Sequence, residues 1–296
     1  MSPGCNHCYA AEMAWRIVNM ESKASERYAG TVTGSPSRHH RWTGDVELLD
    51  DVLCDYEDQA RRVAAGHVLH RKSNRKPRCI FWCSMGDLFH SSVPAAFIRR
   101  AYRVFALLSD DLHIVCTKRP GRIAGVLYGE EDGAAYEACY SQGEALRNVW
   151  HLTTAENQEQ AQRRVPELLQ LRKHGPWPVL GVSCEPLLEM VDLTSVFLPS
   201  RNKLDALAGD VFQYLGPSES GQAMHGDVIG GSTGLDWVIV GGETGRQARE
   251  MQAPWLMRIV EECRRAGVPV FLKQLGDAWH GDALEPGQHR AWPRPQ

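Results

Sequence analysis

Two cysteines near the start of the chain, Cys5 and Cys8, stand three positions apart in the string SPGCNHCYA. Thiols at this spacing can bind one soft centre from a single loop, which suits zinc, a redox disulfide or an iron–sulfur cluster. Two ligands complete neither metal centre, since zinc takes four and a cubane cluster at least three. The spacing therefore predicts a thiolate site and leaves open which of these centres it serves.

The elements that must position such a site alternate along the chain. Short apolar runs typical of strands occur at 79–84, 112–116, 148–153, 179–183, 237–241 and 268–272. Patterns typical of helices occur at 48–70, 94–108, 155–173 and 254–266. Near-continuous apolar strands that alternate with amphipathic helices indicate an α/β fold with a parallel sheet covered by helices, either a barrel or an open sheet.

Polar residues follow each of the six apolar runs. They are Met85-Gly86-Asp87, Thr117-Lys118-Arg119, Glu156-Asn157, Glu185-Pro186, Gly242-Glu243-Thr244-Gly245 and Lys273-Gln274. In β/α barrels the carboxyl ends of the strands carry the site, so the repeated placement predicts a ring of functional groups. The alternative for each residue is an ordinary polar loop or a helix cap, which for Asp87 means an N-cap.

Composition limits the class of protein. The 296 residues suffice for a full core, and 43% apolar with 23% charged residues is typical of a soluble globule. A net charge of -3 gives no global argument for nucleic acid or membrane binding. With no apolar run near 20 residues and no secretion leader, we expect a cytoplasmic protein with no membrane partner. The nine cysteines are expected to be reduced thiols.

The chain is predicted to form one domain over residues 1–296, with a flexible insertion at about 200–236. That segment contains seven glycines and no clear period. A basic run at 61–78 has seven Lys or Arg residues and no acid. It leads into the amino end of a strand, opposite the predicted site, so a solvated helix and loop is favoured over a nucleic-acid surface.

A family resemblance rests on strings spread over almost the whole chain. These are SPGCNHCYA, FWCSMGDLFH, TKRP, AENQ, VSCEPLL, DWVIVGGETG and VPVFLKQLG. Together they resemble the uncharacterised, phage- and mobile-element-associated family of radical-SAM-like proteins. The resemblance implies a phage or prophage protein whose fold is a TIM-like, partial β/α barrel of the radical SAM type. It also implies a [4Fe–4S] cluster that cleaves S-adenosylmethionine reductively, with an external electron donor and an unknown substrate, for which nucleic acid is one possibility.

The resemblance also assigns residues. Cys5 and Cys8 are implied as metal ligands, and a third cysteine is implied before SPGC, in a segment similar to NPVTGCTKVSPGC. We therefore expect this chain to lack the first strand of the barrel, and the upstream reading frame to encode that cysteine. Asp87, with Met85 and Gly86, would receive the methionine ammonium. The other implied cofactor-binding residues are Glu156, Asn157, Glu185, Gly241, Gly242, Glu243 and Lys273.

Two other functions remain open from the sequence. A non-catalytic barrel that has lost its cluster would keep the fold and the interaction surfaces. A zinc-binding interaction module would use the same two thiols, but no second Cys-x-x-Cys or His-x-His pair completes such a site. Catalytic residues and the substrate are not readable from the sequence, because in a barrel they depend on the shapes of the loops.

Overall fold

The structure is a computed structural model. It describes residues 2–20, 23–35, 38–67, 78–129, 146–175, 177–245, 247–280 and 290–293. The chain divides into two compact units, the first with residues 1–150 and 175–178, the second with residues 151–174 and 179–296. One strand, Val149–Thr154, begins in the first unit and continues in the second. The assignment of a single domain to residues 1–296 stays a prediction.

The first unit contains five helices, an antiparallel hairpin and a parallel strand pair among its described residues. Its helices are α1 (Tyr9–Val18), α2 (Lys23–Glu26), α3 (Asp50–Ala64), α4 (Ala95–Leu107) and α5 (Gly121–Leu127). Its strands are β1 (Val32–Ser35), β2 (Arg38–Trp42), β3 (Cys79–Trp82), β4 (Leu112–Thr117) and the start of β5 (Val149–Thr154). Strands β1 and β2 form an antiparallel hairpin, and β3 pairs with β4 in parallel.

The second unit contains the remaining parallel strands and a small antiparallel sheet. Its helices are α6 (Gln158–Leu169), a 3₁₀ turn (Gln170–His174) and α7 (Ala253–Ala266). Its parallel strands are β6 (Val179–Cys184), β11 (Trp237–Gly241) and β12 (Val270–Gln274). Its antiparallel strands are β7 (Val196–Phe197), β8 (Lys203–Leu204), β9 (Asp210–Pro217) and β10 (Ala223–Gly231).

The main sheet has six strands in the order β12-β11-β6-β5-β4-β3. The spatial order follows the chain order without reversal, so the sheet has no topological switch point of the kind found in doubly wound folds. Sequential parallel strands are the arrangement from which β/α barrels are built. The predicted α/β class and parallel sheet are confirmed, while a barrel of the radical SAM type remains a proposal.

The helices bury the faces that their sequences predict. In α4 the buried residues Ile98, Ala101, Tyr102 and Phe105 recur at helical spacing and form one apolar stripe. Helix α7 ends at Gly267, whose left-handed φ of 72° provides a C-cap that other residues adopt with strain. All six residues of β6 are buried, as expected for an interior parallel strand.

Several predicted boundaries differ from the structure. The first apolar run was expected to form a strand that extends to residue 84. That expectation is wrong, because β3 ends at Trp82 and Cys83 enters a turn with φ of 56°. The helix expected at 155–173 divides into α6 and the 3₁₀ turn. Residues 68–77 of the basic run lie outside the described residues.

The glycine-rich segment at 200–236 interrupts the alternation between β6 and β11, where an insertion was predicted. It holds most of the antiparallel sheet, and the pairing of β9 with β10 shifts register three times. These shifts are β-bulges or irregularities, which disturb a regular period of two. Its flexibility stays a prediction. No helix formed by the described residues is long and apolar enough to cross a membrane.

Candidate functional site

The Cys-x-x-Cys loop belongs to the first unit. Pro3–Cys5 form one turn of 3₁₀ helix, closed by a 2.8 Å hydrogen bond from the Cys5 amide to the Ser2 carbonyl. Cys8 then takes an extended conformation immediately before α1. Both cysteines are half-buried and unoxidised. A tight turn followed by a helix start therefore holds two free thiols on one short loop.

Lys118, the residue directly after β4, contacts this loop. Its Nζ lies 3.2 Å from Cys5 Sγ and 2.7 Å from Ser2 Oγ. Burial by itself would raise the pKa of the Cys5 thiol. The Lys118 charge and the hydrogen bonds from Ser2 and Lys118 outweigh burial, and the pKa of Cys5 is lowered. Because the thiolate is the form that binds metals and attacks electrophiles, Lys118 prepares Cys5 for either chemistry.

Asp87, in the loop after β3, is held by the residues that follow β4. Its Oδ1 accepts hydrogen bonds from Thr117 Oγ1 at 2.6 Å and the Phe89 amide at 3.0 Å. Its Oδ2 accepts from the Lys118 amide at 3.2 Å and from the Arg119 guanidinium at 2.7 Å. The residues after Asp87 form turns rather than an α-helix. Asp87 therefore acts as a junction between two strand ends, and no α-helix is there for it to cap.

The two residues before Asp87 have different surroundings. Met85 Sδ accepts a long hydrogen bond of 3.7 Å from the Tyr28 hydroxyl. Gly86 is exposed, and its amide closes a turn onto the Cys83 carbonyl at 2.9 Å. A Cβ built on Gly86 would meet nothing within 4 Å. The Gly86 backbone is thus open to an approaching molecule, although neither its conformation nor its packing requires glycine.

The thiols of the first unit provide part of what a metal centre needs. A thiol with a lowered pKa beside a second cysteine has the donor chemistry of zinc and iron–sulfur sites. Over the described part of the chain, no group of three or more His, Cys, Asp or Glu side chains is placed to hold a metal ion. Cys5 and Cys8 fit two ligand positions of such a centre.

In the second unit, Glu156 lies just after β5 and is buried. Its Oε2 accepts a 2.9 Å hydrogen bond from Arg164 of α6, and the same guanidinium nitrogen donates to the carbonyl and hydroxyl of Thr154. Both charged side chains are almost fully buried, with exposed fractions of 6% and 1%. Asn157 caps α6, its side chain accepting from the Gln160 amide at 2.9 Å. The pair at 156–157 thus fixes the start of α6.

Glu185, Gly241 and Lys273 come together at the carboxyl ends of β6, β11 and β12. Lys273 Nζ lies 2.7 Å from Glu185 Oε1, which also accepts from Gln274 Nε2 at 3.3 Å. A Cβ on Gly241 would approach Glu185 Cγ to 3.1 Å, so glycine allows the carboxylate to lie across the strand end. Lys273 is the most accessible member, with 46% of its side chain exposed.

Gly242 and Glu243 continue the same edge. A Cβ on Gly242 would lie 2.1 Å from the Leu275 carbonyl oxygen, so the two chain segments approach as closely as only glycine permits. Glu243 is buried and binds Arg249 through both carboxylate oxygens, at 2.9 and 2.5 Å. It also accepts from the Arg249 amide at 2.9 Å. This turn is therefore tight, and Arg249 neutralises the charge of Glu243.

The predicted residues thus form two separate groups, one in each unit. In the first, Lys118 links Cys5 to Asp87 through its side chain and its amide. In the second, Glu185 and Lys273 pair directly, while Glu156 and Glu243 each bind a nearby arginine.

Lys118, Arg119, Arg164 and Arg249 were not among the predicted cofactor-binding residues, although Lys273 was. The signal for Lys118 and Arg119 was the position of the TKRP string directly after a strand. Arg164 and Arg249 lie eight and six residues after their carboxylates, with no motif to mark them.

The fold and these groups define a class: an α/β protein whose parallel strands follow chain order and whose thiol loop contacts a strand end. A family model described as "Protein of unknown function (DUF5131)" matches residues 1–292, and the chain belongs to that family. No curated protein and no solved structure matches the chain. The family description names no reaction or cofactor, so the radical-SAM-like assignment is a proposal.

Proposed function

We propose that the protein is a radical-SAM-like enzyme in which Cys5 and Cys8 bind an iron–sulfur cluster. The observation that carries the proposal is the contact between Lys118 and Cys5, which lowers the pKa of a thiol in a Cys-x-x-Cys loop. A half-buried lysine within hydrogen-bond distance of one cysteine of such a loop is more than a reduced structural thiol needs. The resemblance of the surrounding strings to radical-SAM-like proteins supports iron–sulfur over zinc.

The residues of the thiol loop and Lys118 would have different roles at the cluster. When bound, a [4Fe–4S] cluster supplies one-electron reduction of S-adenosylmethionine, with the electron drawn from an external donor. Cys5 and Cys8 would be two of its ligands, and the resemblance implies a third thiolate preceding Ser2. Lys118 would keep Cys5 deprotonated and donate a hydrogen bond to its sulfur, the type of contact that tunes such centres.

The role of the Asp87 loop is to receive the methionine part of the cofactor. Gly86 leaves open backbone beside Asp87, consistent with close approach of a ligand. Because Asp87 already accepts from four donors, an incoming ammonium must replace or share the Arg119 contact. Arg119 has 37% of its side chain exposed, so it has room to move.

The second unit has polar groups of its own, which would bind a cofactor or substrate at its strand ends. Glu185 and Lys273 are the strongest candidates there, since this pair is partly exposed at a strand end. Glu156 and Asn157 fix the start of α6, and Glu243 binds Arg249. These three residues would therefore act by holding the shape of their loops. The family resemblance implies that a phage or prophage encodes the protein, and it assigns no substrate.

The test is anaerobic reconstitution of the full-length protein with iron and sulfide. We expect a brown protein with visible sulfur-to-iron absorption, reductive formation of 5′-deoxyadenosine from S-adenosylmethionine, and loss of both in Cys5→Ala and Cys8→Ala. Cys79→Ala, which removes an exposed thiol on β3, is the matched control and should retain the cluster.

Two outcomes would reject the proposal. Stoichiometric zinc with no iron after reconstitution would assign the thiols to a zinc-binding interaction module. A folded protein that binds neither metal would assign the chain to a non-catalytic protein that keeps the sheet.

A further inference from the structure

The antiparallel sheet β7–β10 presents a solvent-facing surface made of aromatic rings and cations. Cross-strand pairing places Phe197 opposite Lys203, Lys203 opposite Phe212, and His225 opposite Tyr214. Residues directly opposite share one face of a sheet, so these five form a continuous patch, called here the aromatic face. The opposite face of β7 and β8 carries Val196 and Leu204, which are buried.

The rings of the aromatic face pack against one another, with Phe197 exposed and Phe212, Tyr214 and His225 half-buried. Phe197 stacks on His225 with ring centres 5.5 Å apart, and His225 lies 5.7 Å from Tyr214. Phe197 is 40% exposed, and Met224 and Val228 beside the rings are 44% and 51% exposed. Sheet rings in this arrangement offer flat surfaces on which planar ligands stack.

Two cations lie over these rings without a carboxylate partner. Lys203 Nζ is 4.4 Å from the Phe212 ring centre, and the Arg201 guanidinium is 5.7 Å from that of Tyr214. Neither cation makes an ion pair within the described residues, whereas Arg172 and Arg258 of the same unit do. Their charge is therefore available to an anion.

Three acids belong to the β9–β10 hairpin. Asp210 is the first residue of β9 and lies opposite Gly231, Asp227 lies where the pairing of β10 is irregular, and Glu219 is in the turn between β9 and β10. None of them forms an ion pair with Arg201 or Lys203 among the described residues. The charges that lie over the Tyr214 and Phe212 rings are thus positive, although the hairpin as a whole also carries carboxylates.

We propose that the aromatic face binds single-stranded nucleic acid. Unpaired bases would stack on Phe197 and its neighbouring rings, and Arg201 and Lys203 would contact the phosphates. A duplex keeps its bases inside, so stacking of this kind selects single strands. The surface has too few charged or hydrogen-bonding side chains among the rings to read base edges, which makes the binding sequence-tolerant.

The experiment is fluorescence anisotropy with labelled oligothymidylate and oligouridylate of about 12 nucleotides, titrated with the full-length protein. We expect dissociation constants of about 10⁻⁴ to 10⁻⁶ M that weaken as salt increases. Phe197→Leu keeps an apolar side chain and should weaken binding about tenfold. Lys203→Ala should reduce the slope of log affinity against log salt by about 0.7.

Matched controls separate this surface from general effects. Phe81→Leu removes a phenylalanine from β3 that is 50% exposed, against 40% for Phe197, and Lys173→Ala removes an exposed lysine from the 3₁₀ turn. Both should bind like wild type, and all four variants should keep the wild-type melting temperature. DNA and RNA probes are compared to identify which strand is preferred.

Three results would overturn the proposal. The first is no anisotropy change up to about 10⁻⁴ M protein, the weak end of nonspecific affinities. The second is equal affinity for Phe197→Leu and Phe81→Leu. The third is duplex binding as tight as single-strand binding, since phosphate contacts alone would then suffice. A dimer in sedimentation that Phe197→Leu dissociates, without nucleic-acid binding, would assign the face to a second copy of the chain.

Discussion

Replacing Asp87 with asparagine tests how the strand ends of the first unit are joined. The substitution keeps the size of the side chain and one carbonyl oxygen, which can still accept from Thr117 and Phe89. The other oxygen becomes an NH₂ group that faces two donors, the Lys118 amide and the Arg119 guanidinium. Asp87→Asn therefore replaces two attractive contacts with donor–donor repulsion and removes the partner charge of Arg119.

The magnitude follows from the exposure of the pair. A hydrogen bond to a charged group contributes roughly 1.5–3 kcal/mol, and the amide contact adds about 1 kcal/mol. Because 37% of the Arg119 side chain and 15% of the Asp87 side chain are exposed, water screens the ion pair and compensates part of the loss. We expect a loss of about 2 kcal/mol of unfolding free energy, which for a protein of this size lowers Tm by about 3 °C.

The assay is urea unfolding together with a thermal melt, using Asp58→Asn as the matched control. Asp58 pairs with Arg61 within α3, and both side chains are about two-thirds exposed. Loss of that pair should change stability by no more than about 0.5 kcal/mol. The difference between the two variants isolates the contribution of the Asp87 contacts.

The reasoning is refuted if Asp87→Asn and Asp58→Asn unfold at the same urea concentration. In that case the carboxylate is not a structural junction. If such a stable variant also binds S-adenosylmethionine more weakly in calorimetry, Asp87 acts on the cofactor as the sequence predicted. Destabilisation with unchanged cofactor affinity would instead remove Asp87 from the proposed cofactor site.

Three further predictions use other parts of the structure. Gly242→Ala should destabilise by more than about 3 kcal/mol in urea unfolding, because its Cβ would overlap a backbone oxygen, whereas Gly86→Ala should stay within about 0.5 kcal/mol. At pH 7, iodoacetamide should alkylate Cys5 faster in the wild-type protein than in Lys118→Met, because Lys118 lowers the pKa of the Cys5 thiol. The rates are measured by mass spectrometry on metal-free protein, and equal rates would contradict the prediction. Burial lowers the pKa of His113 from 6.5 to about 4, so between these pH values the unfolded chain binds a proton that the folded protein does not. The stability present above pH 6.5 should therefore be lost as pH falls towards 4, by up to about 3 kcal/mol. His113→Gln should flatten that pH dependence, and an unchanged slope would exclude His113 as its source.

The fold class was readable because its signals are local. The apolar runs at 112–116 and 179–183 lie within β4 and β6, since an interior parallel strand needs apolar residues on both faces. The end of β3 was misplaced because the apolar pattern continues into Cys83, where only the positive φ of the turn stops the strand. The antiparallel sheet at 196–231 was missed, because irregular pairing removes the alternation that marks a strand.

The candidate site was readable only in part. The spacing of Cys5 and Cys8 marks a thiol loop on its own, and the position of Asp87 after an apolar run marks a strand end. Which cation meets which anion was not readable, because Lys118 reaches Cys5 across more than a hundred residues of chain. The contact of the Lys118 amide with Asp87 exists because β3 and β4 pair in parallel, so their carboxyl ends lie at one edge. The sequence by itself determined the residue types and the strands, and the packing of those strands decided which charges are neutralised and which stay available.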